Sequence, residues 1–217
     1  KGQYVLYSTA DLAPSMNLLR EGTCELEAWI PYEKELSIMV AGNGREITTF
    51  PVVENIHRNN ILHQTIAPAR IDSEVAEEAE RIARVIAQAL DLRGVLAIEL
   101  FLTKSGGLYV NELAPRPHNS GHYSIEACSM GQFDAHVRGI CGWPLAEVKL
   151  LSDAVMVNIL GDELIETYDL IAHKPDWQFH YYGKEEAKSG RKMGHITLLT
   201  EDITASLEEI YQTNIWD

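Results

Sequence analysis

Residues 94–113 read GVLAIELFLTKSGGLYVNEL. Two apolar runs flank the polar residues 104–107, which is typical of two antiparallel strands joined by a hairpin loop. If 104–107 form a four-residue loop, Thr103 faces Leu108, and counting outward from that pair places Glu99 opposite Glu112. The sequence therefore predicts two carboxylates on one face of a hairpin, about 5 Å apart at Cβ.

Two facing carboxylates need a physical remedy, because the residues that share the face of Glu99 are apolar, namely Val95, Ala97 and Phe101. Either one carboxyl group stays protonated, or a divalent cation lies between the two. Mg²⁺ held by one or two carboxylates and by substrate phosphates is the usual arrangement in nucleotide sites. A hairpin shifted by one residue would instead leave one glutamate at a solvent edge. The residues alone leave these readings open.

A polar loop follows the second strand, where residues 111–123 read NELAPRPHNSGHY. Arg116 lies between two prolines, which hold its backbone extended. An arginine in such a loop can bind a phosphate or a carboxylate. His118, Asn119 and Ser120 add donors and acceptors directly after the carboxylate pair, where substrate groups should converge. The alternative is a helix-capping loop with structurally hydrogen-bonded histidines.

Composition excludes several classes of protein. The 217 residues carry 18 Lys and Arg against 32 Asp and Glu, a net charge of −14. That balance argues against a general nucleic-acid binder and against an anionic membrane surface. No apolar run approaches the ~20 residues of a membrane span. The three cysteines are an odd number at no metal-like spacing, which favours a reducing cytoplasm over a disulfide scaffold.

Hydrophobic patterns predict strands interleaved with helices. Strands are predicted over 25–30, 36–41, 47–53, 94–103 and 108–113, and helices over 124–141 and from the residue after Asp72-Ser73 to Leu90. Residues 153–160 form an apolar run. Hairpins interleaved with helices favour an α+β fold over a doubly wound parallel sheet. After residue 161 the sequence pattern changes to short predicted strands and aromatic residues. We expect a domain over 1–149 and a small strand-rich C-terminal subdomain over 150–217.

A basic cluster lies in this acidic chain. Four basic residues fall within nine positions: Lys184, Lys188, Arg191 and Lys192. A local positive patch on a negatively charged protein favours one small anionic ligand over a polymer. A solvated loop offset by the neighbouring glutamates is the other interpretation.

The run NELAPRPHNSGHY resembles the signature of the N5-carboxyaminoimidazole ribonucleotide synthetases, a family of ATP-grasp enzymes in purine biosynthesis. Other ATP-grasp enzymes share its Asn-Glu metal pair but not the continuation. Further similar segments lie at 51–57, 67–69, 94–101, 129–144, 155–158 and 182–195. The resemblance implies the C-terminal part of an ATP-grasp domain, followed by the small C-terminal subdomain.

The resemblance also implies a reaction. The family converts aminoimidazole ribonucleotide, bicarbonate and ATP to N5-carboxyaminoimidazole ribonucleotide, ADP and phosphate. Bicarbonate is first phosphorylated to carboxyphosphate, and the amine of the ribonucleotide captures the carboxylating species. We therefore expect a carbon–nitrogen ligase that uses ATP and Mg²⁺, is cytoplasmic, binds neither nucleic acid nor membrane and, by family analogy, forms a homodimer.

Site residues follow from the same resemblance. Glu99 and Glu112 are expected to hold Mg²⁺ on the ATP phosphates, with Asn111 beside Glu112 at the nucleotide. The bicarbonate or carboxyphosphate site is implied for Arg116, His118 and Asn119.

The resemblance places the nucleotide and the substrate phosphate as well. An adenine-binding hinge is implied for Glu27, Ala28, Trp29 and Ile30, with Glu35 on the ribose hydroxyls and His57 near the nucleotide. The substrate 5′-phosphate is implied to bind Lys184, Arg191 and Lys192. Many family members have Arg-Pro where this chain has Lys188-Ser189, so Lys188 receives no role.

Two other hypotheses remain. One is another ATP-grasp ligase, of the formate-dependent transformylase or biotin-carboxylase type, against which the run over 116–122 argues. The other is a non-catalytic nucleotide-binding fragment, which would bind Mg·ATP without turnover. Because the family's N-terminal domain and ATP-binding lysines have no counterpart here, we expect the isolated piece to be inactive and poorly folded at its cut edge. Bicarbonate-dependent ATP hydrolysis by the piece would refute this.

Overall fold

A computed structural model describes residues 2–216, in two units that divide between Pro31 and Tyr32. In the first unit, three short helical segments follow one another: Thr9–Asp11, α1 (Leu12–Ser15) and Met16–Arg20. Ser8 caps the first of them, because its Oγ accepts from Ala10 N (3.3 Å) while its own N–H donates to Asp11 Oδ2 (2.8 Å). This reciprocal pair is a capping box.

The strand predicted over 25–30 is wrong, since residues 23–31 carry neither helix nor strand. An alternating segment becomes a strand only when a neighbouring strand pairs with its backbone, and none does within the described residues 2–216. Leu26 and Trp29 are 84% and 71% exposed. The adenine-hinge role of residues 27–30 stays a prediction.

Within residues 32–216 nine strands form one sheet, in the order β6-β5-β1-β3-β4-β7-β9-β8, with β2 beside β1. The strands are β1 (Tyr32–Asn43), β2 (Ile47–Thr49), β3 (Val53–Arg58), β4 (Ile61–Ala67), β5 (Arg93–Thr103), β6 (Leu108–Ala114), β7 (Asp153–Leu160), β8 (Trp177–Tyr181) and β9 (Lys192–Thr200). The helices are α2 (Ser73–Ala89), α3 (Ser124–Ala127), α4 (Gln132–Cys141), α5 (Leu164–Leu170) and α6 (Ile203–Gln212). Every strand pair is antiparallel, so the α+β class is confirmed.

Alternation along β1 and β5 decides which face each side chain occupies. Leu36, Ile38 and Val40 of β1 lie in one core with Leu96, Ile98 and Leu100 of β5, beneath Ala79, Ala83 and Ala87 of α2. The other face carries a second core that includes Met39 and Ala97. Glu99 pairs with Ser37 in the β1–β5 register and shares this second face. The acidic residue therefore faces away from α2.

Two predicted elements are interrupted. The strand expected over 47–53 is divided into β2 and β3, both on β1, because Pro51 lacks the N–H that a continuous ladder needs. The helix expected over 124–141 is divided into α3 and α4. Cys128 is extended and bridges to Leu150, and Gly131, with extended dihedrals, begins α4.

The C-terminal strands extend the same sheet. β4 pairs with β7, which pairs with β9, so the sheet crosses the expected boundary between residues 149 and 150. These strands have a core of their own, in which Val157 and Ile196 pack near Ile210 of α6. The division at residue 149 stays a prediction. No helix in the part of the chain described, residues 2–216, is long and apolar enough to cross a membrane.

Candidate functional site

The β5–β6 hairpin brings the two predicted carboxylates together. Next to the loop, Leu102 pairs with Leu108, so the predicted pairing of Thr103 with Leu108 is wrong by one residue. The register then shifts between Glu99 and Leu100, and Glu99 pairs with Glu112 as predicted. Asn111 is the extra residue of this bulge. A loop one residue longer than expected and a bulge of one residue compensate each other.

The Glu99 and Glu112 carboxylates destabilise each other as anions, and a bound cation would remove this repulsion. Burial raises the pKa of Glu99, and the facing Glu112 raises it further. His57 and Lys192 act on the Glu99 pKa in the opposite direction. Asn111 Nδ2 lies 3.5 Å from Glu99 Oε2, at the long end of the hydrogen-bond range. Oxygen ligands of this kind are those that Mg²⁺ prefers.

The carboxylates line a cleft of about 470 Å³. Its walls come from β3, the β3–β4 turn, β4, β5, β6, the polar loop, the segment before β9 and the start of β9. The lining residues are His57, Asn60, Ile61, Leu62, Glu99, Glu112, His118, Gly190 and Lys192. Of the residues predicted for metal, catalysis and phosphate, the cleft thus unites Glu99, Glu112, His118 and Lys192. A further cavity of about 460 Å³ lies between β9 and α6 and contains none of the predicted site residues.

His118 is held at its main chain by one buried side chain. Its N–H donates to Gln132 Oε1 (2.8 Å), and Gln132 Nε2 donates to its carbonyl oxygen (2.8 Å). Burial, together with a smaller contribution from the charge of Arg116, lowers the pKa of His118 to about 4. The imidazole is therefore neutral at pH 7, and the 3.5 Å separation of His118 Nε2 from Glu99 Oε1 is not an ion pair.

Replacing Gln132 by leucine is expected to loosen this loop. The change leaves the N–H and the carbonyl group of His118 without their partners, and each unpaired buried group costs about 1–3 kcal/mol. We expect faster hydrogen–deuterium exchange over residues 115–123 in the complete protein. Gln88→Leu, at an exposed position of α2, is the matched control. Wild-type exchange rates in the Gln132 variant would contradict the role of this side chain.

The neighbours of His118 have different environments. Asn119 and Asn158 of β7 form a reciprocal amide pair, with N–O distances of 2.9 and 2.6 Å. Asn158 Nδ2 also donates to Leu62 O (2.7 Å), so this pair joins the polar loop to β7 and β4. Arg116 is exposed, and its Nη1 donates to Pro117 O (3.1 Å). Its charge lowers the pKa of His118 but its side chain is not among those lining the cleft.

Glu35 and His57 lie together on neighbouring strands. His57 Nδ1 approaches Glu35 Oε2 to 2.6 Å, at angles that are not those of a hydrogen bond. Burial raises the pKa of Glu35, but the His57 and Tyr32 side chains outweigh burial and the net shift is downward. Glu35 is thus an ionised acceptor at neutral pH. Its assignment to ribose hydroxyls stays a prediction, as does that of His57 to the nucleotide.

The basic cluster is spread over different surroundings. Lys192 lines the cleft, and burial lowers its pKa although Glu99 opposes that shift. Lys184 Nζ donates to Lys192 O (2.5 Å) and lies 5.2 Å from the Tyr182 ring centroid. Arg191 is exposed and donates to Glu186 O (3.1 Å). Lys188 Nζ forms an exposed ion pair with the Glu186 carboxylate at 2.7 Å.

Some residues around the site were not predicted from the sequence. Ser37, Asn55 and Gln132 are buried polar residues connected to the polar loop. Ser37 carries a signal that alternation could have given, because it is a polar residue on a buried face of β1. Asn55 and Gln132 carry no such signal, since their partners lie on distant segments.

The carboxylates of the site suit a cation that takes its remaining ligands from water or from a bound phosphate group. Within residues 2–216, no group of three or more His, Cys, Asp or Glu side chains could hold a metal ion. Two facing carboxylates remain, one of them destabilised as an anion by burial. Mg²⁺ is commonly bound by one or two carboxylates, with water and phosphate oxygens completing its octahedron.

Comparison with protein families gives two matches. Residues 1–133 match the ATP-grasp domain, and residues 154–209 match the phosphoribosylaminoimidazole carboxylase C-terminal domain. The N5-carboxyaminoimidazole ribonucleotide synthase of Bacillus subtilis (strain 168) is 46% identical over 222 residues. That alignment covers 100% of this chain and 57% of the relative, so the chain spans little more than half the length of the proteins it matches.

Solved structures give the same picture. The crystal structure of an ADP complex of an N5-carboxyaminoimidazole ribonucleotide synthetase is similar with a TM-score of 0.95 and 48% identity, over 100% of this chain and 58% of that one. The N5-carboxyaminoimidazole synthase of Aspergillus clavatus, in complex with ADP and 5-aminoimidazole ribonucleotide, has a TM-score of 0.80 and 33% identity. That match covers 85% of this chain and 52% of the fungal chain.

Proposed function

Because the chain belongs to the ATP-grasp family, we propose that the protein containing it is a carbon–nitrogen ligase that carboxylates 5-aminoimidazole ribonucleotide with bicarbonate and ATP. The products are N5-carboxyaminoimidazole ribonucleotide, ADP and phosphate. The names of the relatives support this reaction, and so does the bound ribonucleotide of the fungal structure. The C-terminal match supports the same assignment.

The observation that carries the proposal is the pairing of Glu99 with Glu112 in the cleft that also contains His118 and Lys192. We propose that the two carboxylates, with Asn111 beside them, hold Mg²⁺. When bound, the ion neutralises charge on the ATP phosphates and so favours phosphoryl transfer. Without it, Glu99 and Glu112 repel each other across the hairpin, which is why the raised pKa of Glu99 supports a cation here.

The proposed chemistry has two steps. An oxygen of bicarbonate attacks the γ-phosphorus, the bond from that phosphorus to the ADP oxygen breaks, and carboxyphosphate forms. The amine of the ribonucleotide then attacks the carboxyl carbon, or CO₂ released from carboxyphosphate, phosphate leaves and the amine loses a proton. We propose Arg116, His118 and Asn119 for the bicarbonate side. His118 would act there as a neutral hydrogen-bond donor, since its pKa is about 4.

The remaining contacts belong to the same proposal. For the nucleotide we propose residues 27–30 as the adenine hinge, with Glu35 and His57 near the ribose. For the substrate 5′-phosphate we propose Lys184, Arg191 and Lys192, and the position of Lys192 in the cleft supports its inclusion. A cytoplasmic location and a homodimer are also proposed, the first because all three cysteines are free in the structure.

The decisive experiment measures ADP release by the complete protein with Mg·ATP and bicarbonate, with and without 5-aminoimidazole ribonucleotide. We expect strong stimulation by the ribonucleotide and dependence on bicarbonate. Stimulation instead by formate with a ribonucleotide acceptor, or by biotin, would assign another ATP-grasp reaction. Binding of Mg·ATP without turnover under every condition would indicate a nucleotide-binding module.

A further inference from the structure

A chain of buried side-chain hydrogen bonds runs from β4 to the imidazole of His118. Thr65 Oγ1 donates to Asn55 Oδ1 (3.0 Å), and Asn55 Nδ2 donates to Ser37 Oγ (2.9 Å). Ser37 Oγ then donates to Ser120 Oγ (2.8 Å), which lies 2.9 Å from His118 Nδ1. The other four residues of this hydrogen-bond chain are each at most 6% exposed, namely Thr65, Asn55, Ser37 and Ser120. Water therefore does not compete for these groups, and the chain is well defined.

The chemistry of the donors fixes the direction of this chain. The amide nitrogen of Asn55 can only donate, so Ser37 Oγ accepts from it and offers its own hydrogen to Ser120. Ser120 Oγ accepts from Ser37, and among residues 2–216 its own hydrogen has no acceptor within hydrogen-bond distance other than His118 Nδ1. A ring nitrogen that accepts carries no hydrogen. In the neutral imidazole the one N–H hydrogen then lies on Nε2.

We propose that Ser120, oriented by Ser37, is a positioning residue that fixes the His118 imidazole as an Nε2–H donor facing the cleft. Gln132 fixes the main chain of His118 but leaves the ring free to rotate about its χ2 bond. The contact with Ser120 determines which ring nitrogen faces the cleft. Nε2 lies 3.5 Å from Glu99 Oε1, too far for a strong hydrogen bond, so its hydrogen is available to an oxygen of a ligand.

The catalytic consequence rests on the proposed function. There, the Nε2–H group donates to an anionic oxygen of bicarbonate or carboxyphosphate. It cannot accept a proton or ligate the metal through Nε2, because a protonated ring nitrogen has no free lone pair. His118 is thereby restricted to one role among the several that a histidine beside two carboxylates can have.

The test is nitrogen NMR of the complete protein labelled with ¹⁵N-histidine, with the His118 signals assigned by their loss in His118→Gln. In the wild type we expect a protonated Nε2 and an unprotonated Nδ1 that is shifted by an accepted hydrogen bond. In Ser120→Ala the Nδ1 signal should move toward the position of a free ring nitrogen, or both tautomers should appear. Ser37→Ala keeps Ser120 in place and should also give mixed tautomers.

A matched control separates this role from general support of the loop. Ser124 is a buried serine of the same segment that is not part of the hydrogen-bond chain to His118 Nδ1. Its Oγ donates to Gly121 O (2.6 Å) and accepts from Gln132 N (3.0 Å), so it supports the loop by other contacts. Ser124→Ala should leave the His118 Nδ1 signal unchanged. A protonated Nδ1 in the wild type, or an unchanged Nδ1 signal in Ser120→Ala, would overturn the proposal.

Kinetics give a second readout. Ser120→Ala should lower kcat for ribonucleotide-stimulated ADP release on the order of 10- to 100-fold, the effect seen when a hydrogen-bond partner that orients a metal-ligating histidine is removed. The KM for Mg·ATP should stay unchanged. An equal loss of kcat in Ser124→Ala, or a rise in KM alone in Ser120→Ala, would show that Ser120 only supports the loop. If the wild type shows no ribonucleotide stimulation, the proposed function fails, and NMR alone decides the positioning role.

Discussion

Glu112→Gln in the complete protein is expected to lower kcat for bicarbonate-dependent ADP release on the order of 10²- to 10³-fold, the typical effect of losing one electrostatic contact to a transition state. The glutamine keeps the size of the side chain but removes the charge that would hold Mg²⁺ opposite Glu99. Half-maximal activity should require more Mg²⁺. Glu99→Gln should have an effect of the same order. The measurement is a magnesium titration of steady-state ADP release.

Glu112→Gln should also stabilise the protein in the absence of metal. The pKa of Glu99 is raised by burial and by Glu112, so the folded state binds more protons than the unfolded one. Ionised Glu99 therefore carries a stability penalty, which grows as pH rises from the unfolded pKa through the raised folded pKa. Removing the facing charge lessens it, so the metal-free melting temperature should rise.

Opposite changes in activity and stability distinguish a metal site from a structural pair. Glu77→Gln, at an exposed position of α2, is the matched control and should change neither quantity. A Glu112 variant with wild-type magnesium dependence would remove the carboxylate pair from the proposed metal site. A lowered metal-free melting temperature would show that the pair is stabilising as it stands.

Gly139→Ala is expected to destabilise the protein by about 3 kcal/mol, although alanine is the better helix former by about 1 kcal/mol. A Cβ at this position of α4 would lie 2.4 Å from Gly42 O and 2.5 Å from Gly94 N. Both atoms belong to the backbone of β1 and β5 and cannot move aside as a flexible side chain would. Packing therefore outweighs helix propensity, and α4 must shift away from the sheet.

Hydrogen–deuterium exchange of the complete protein would measure this effect. Peptides of α4 should exchange faster in Gly139→Ala, and so should the loop around His118, because Gln132 is the first residue of α4. Gly131→Ala, at the start of the same helix, is the control, since a Cβ there would meet its nearest atoms at an ordinary 3.6 Å. Greater protection in Gly139→Ala would show that helix propensity dominates at this position.

The hairpin shows how far local sequence carries a prediction. Alternation and loop composition placed Glu99 opposite Glu112, and the structure has that pair. The loop was predicted one residue too short, and the bulge at Asn111 compensated. The prediction that both carboxylates lie on one face was still correct, because side chains alternate with a period of two and both hairpin strands keep that alternation near the pair. Helix α2 was predicted equally well, since its apolar stripe is a property of contiguous residues.

The two predicted elements that were wrong, a strand and a continuous helix, share a different cause. Residues 25–30 have the pattern of a strand but no strand pairs with them within the described chain. The helix over 124–141 breaks where Cys128 bridges to Leu150, a partner 22 positions away. In both cases the outcome depends on a distant backbone segment, which local periodicity does not specify.

The sequence by itself determined the α+β class, the carboxylate pair and the polar loop that follows it, because each depends on patterns among residues that lie close together along the chain. Only the tertiary structure decided that Lys192 lines the same cleft, that Asn158 pairs with Asn119, and that Ser37 reaches Ser120. These contacts join segments about 40 to 80 residues apart through the order of strands in the sheet. Strand order follows from how the whole core packs, and that is a property of no single segment.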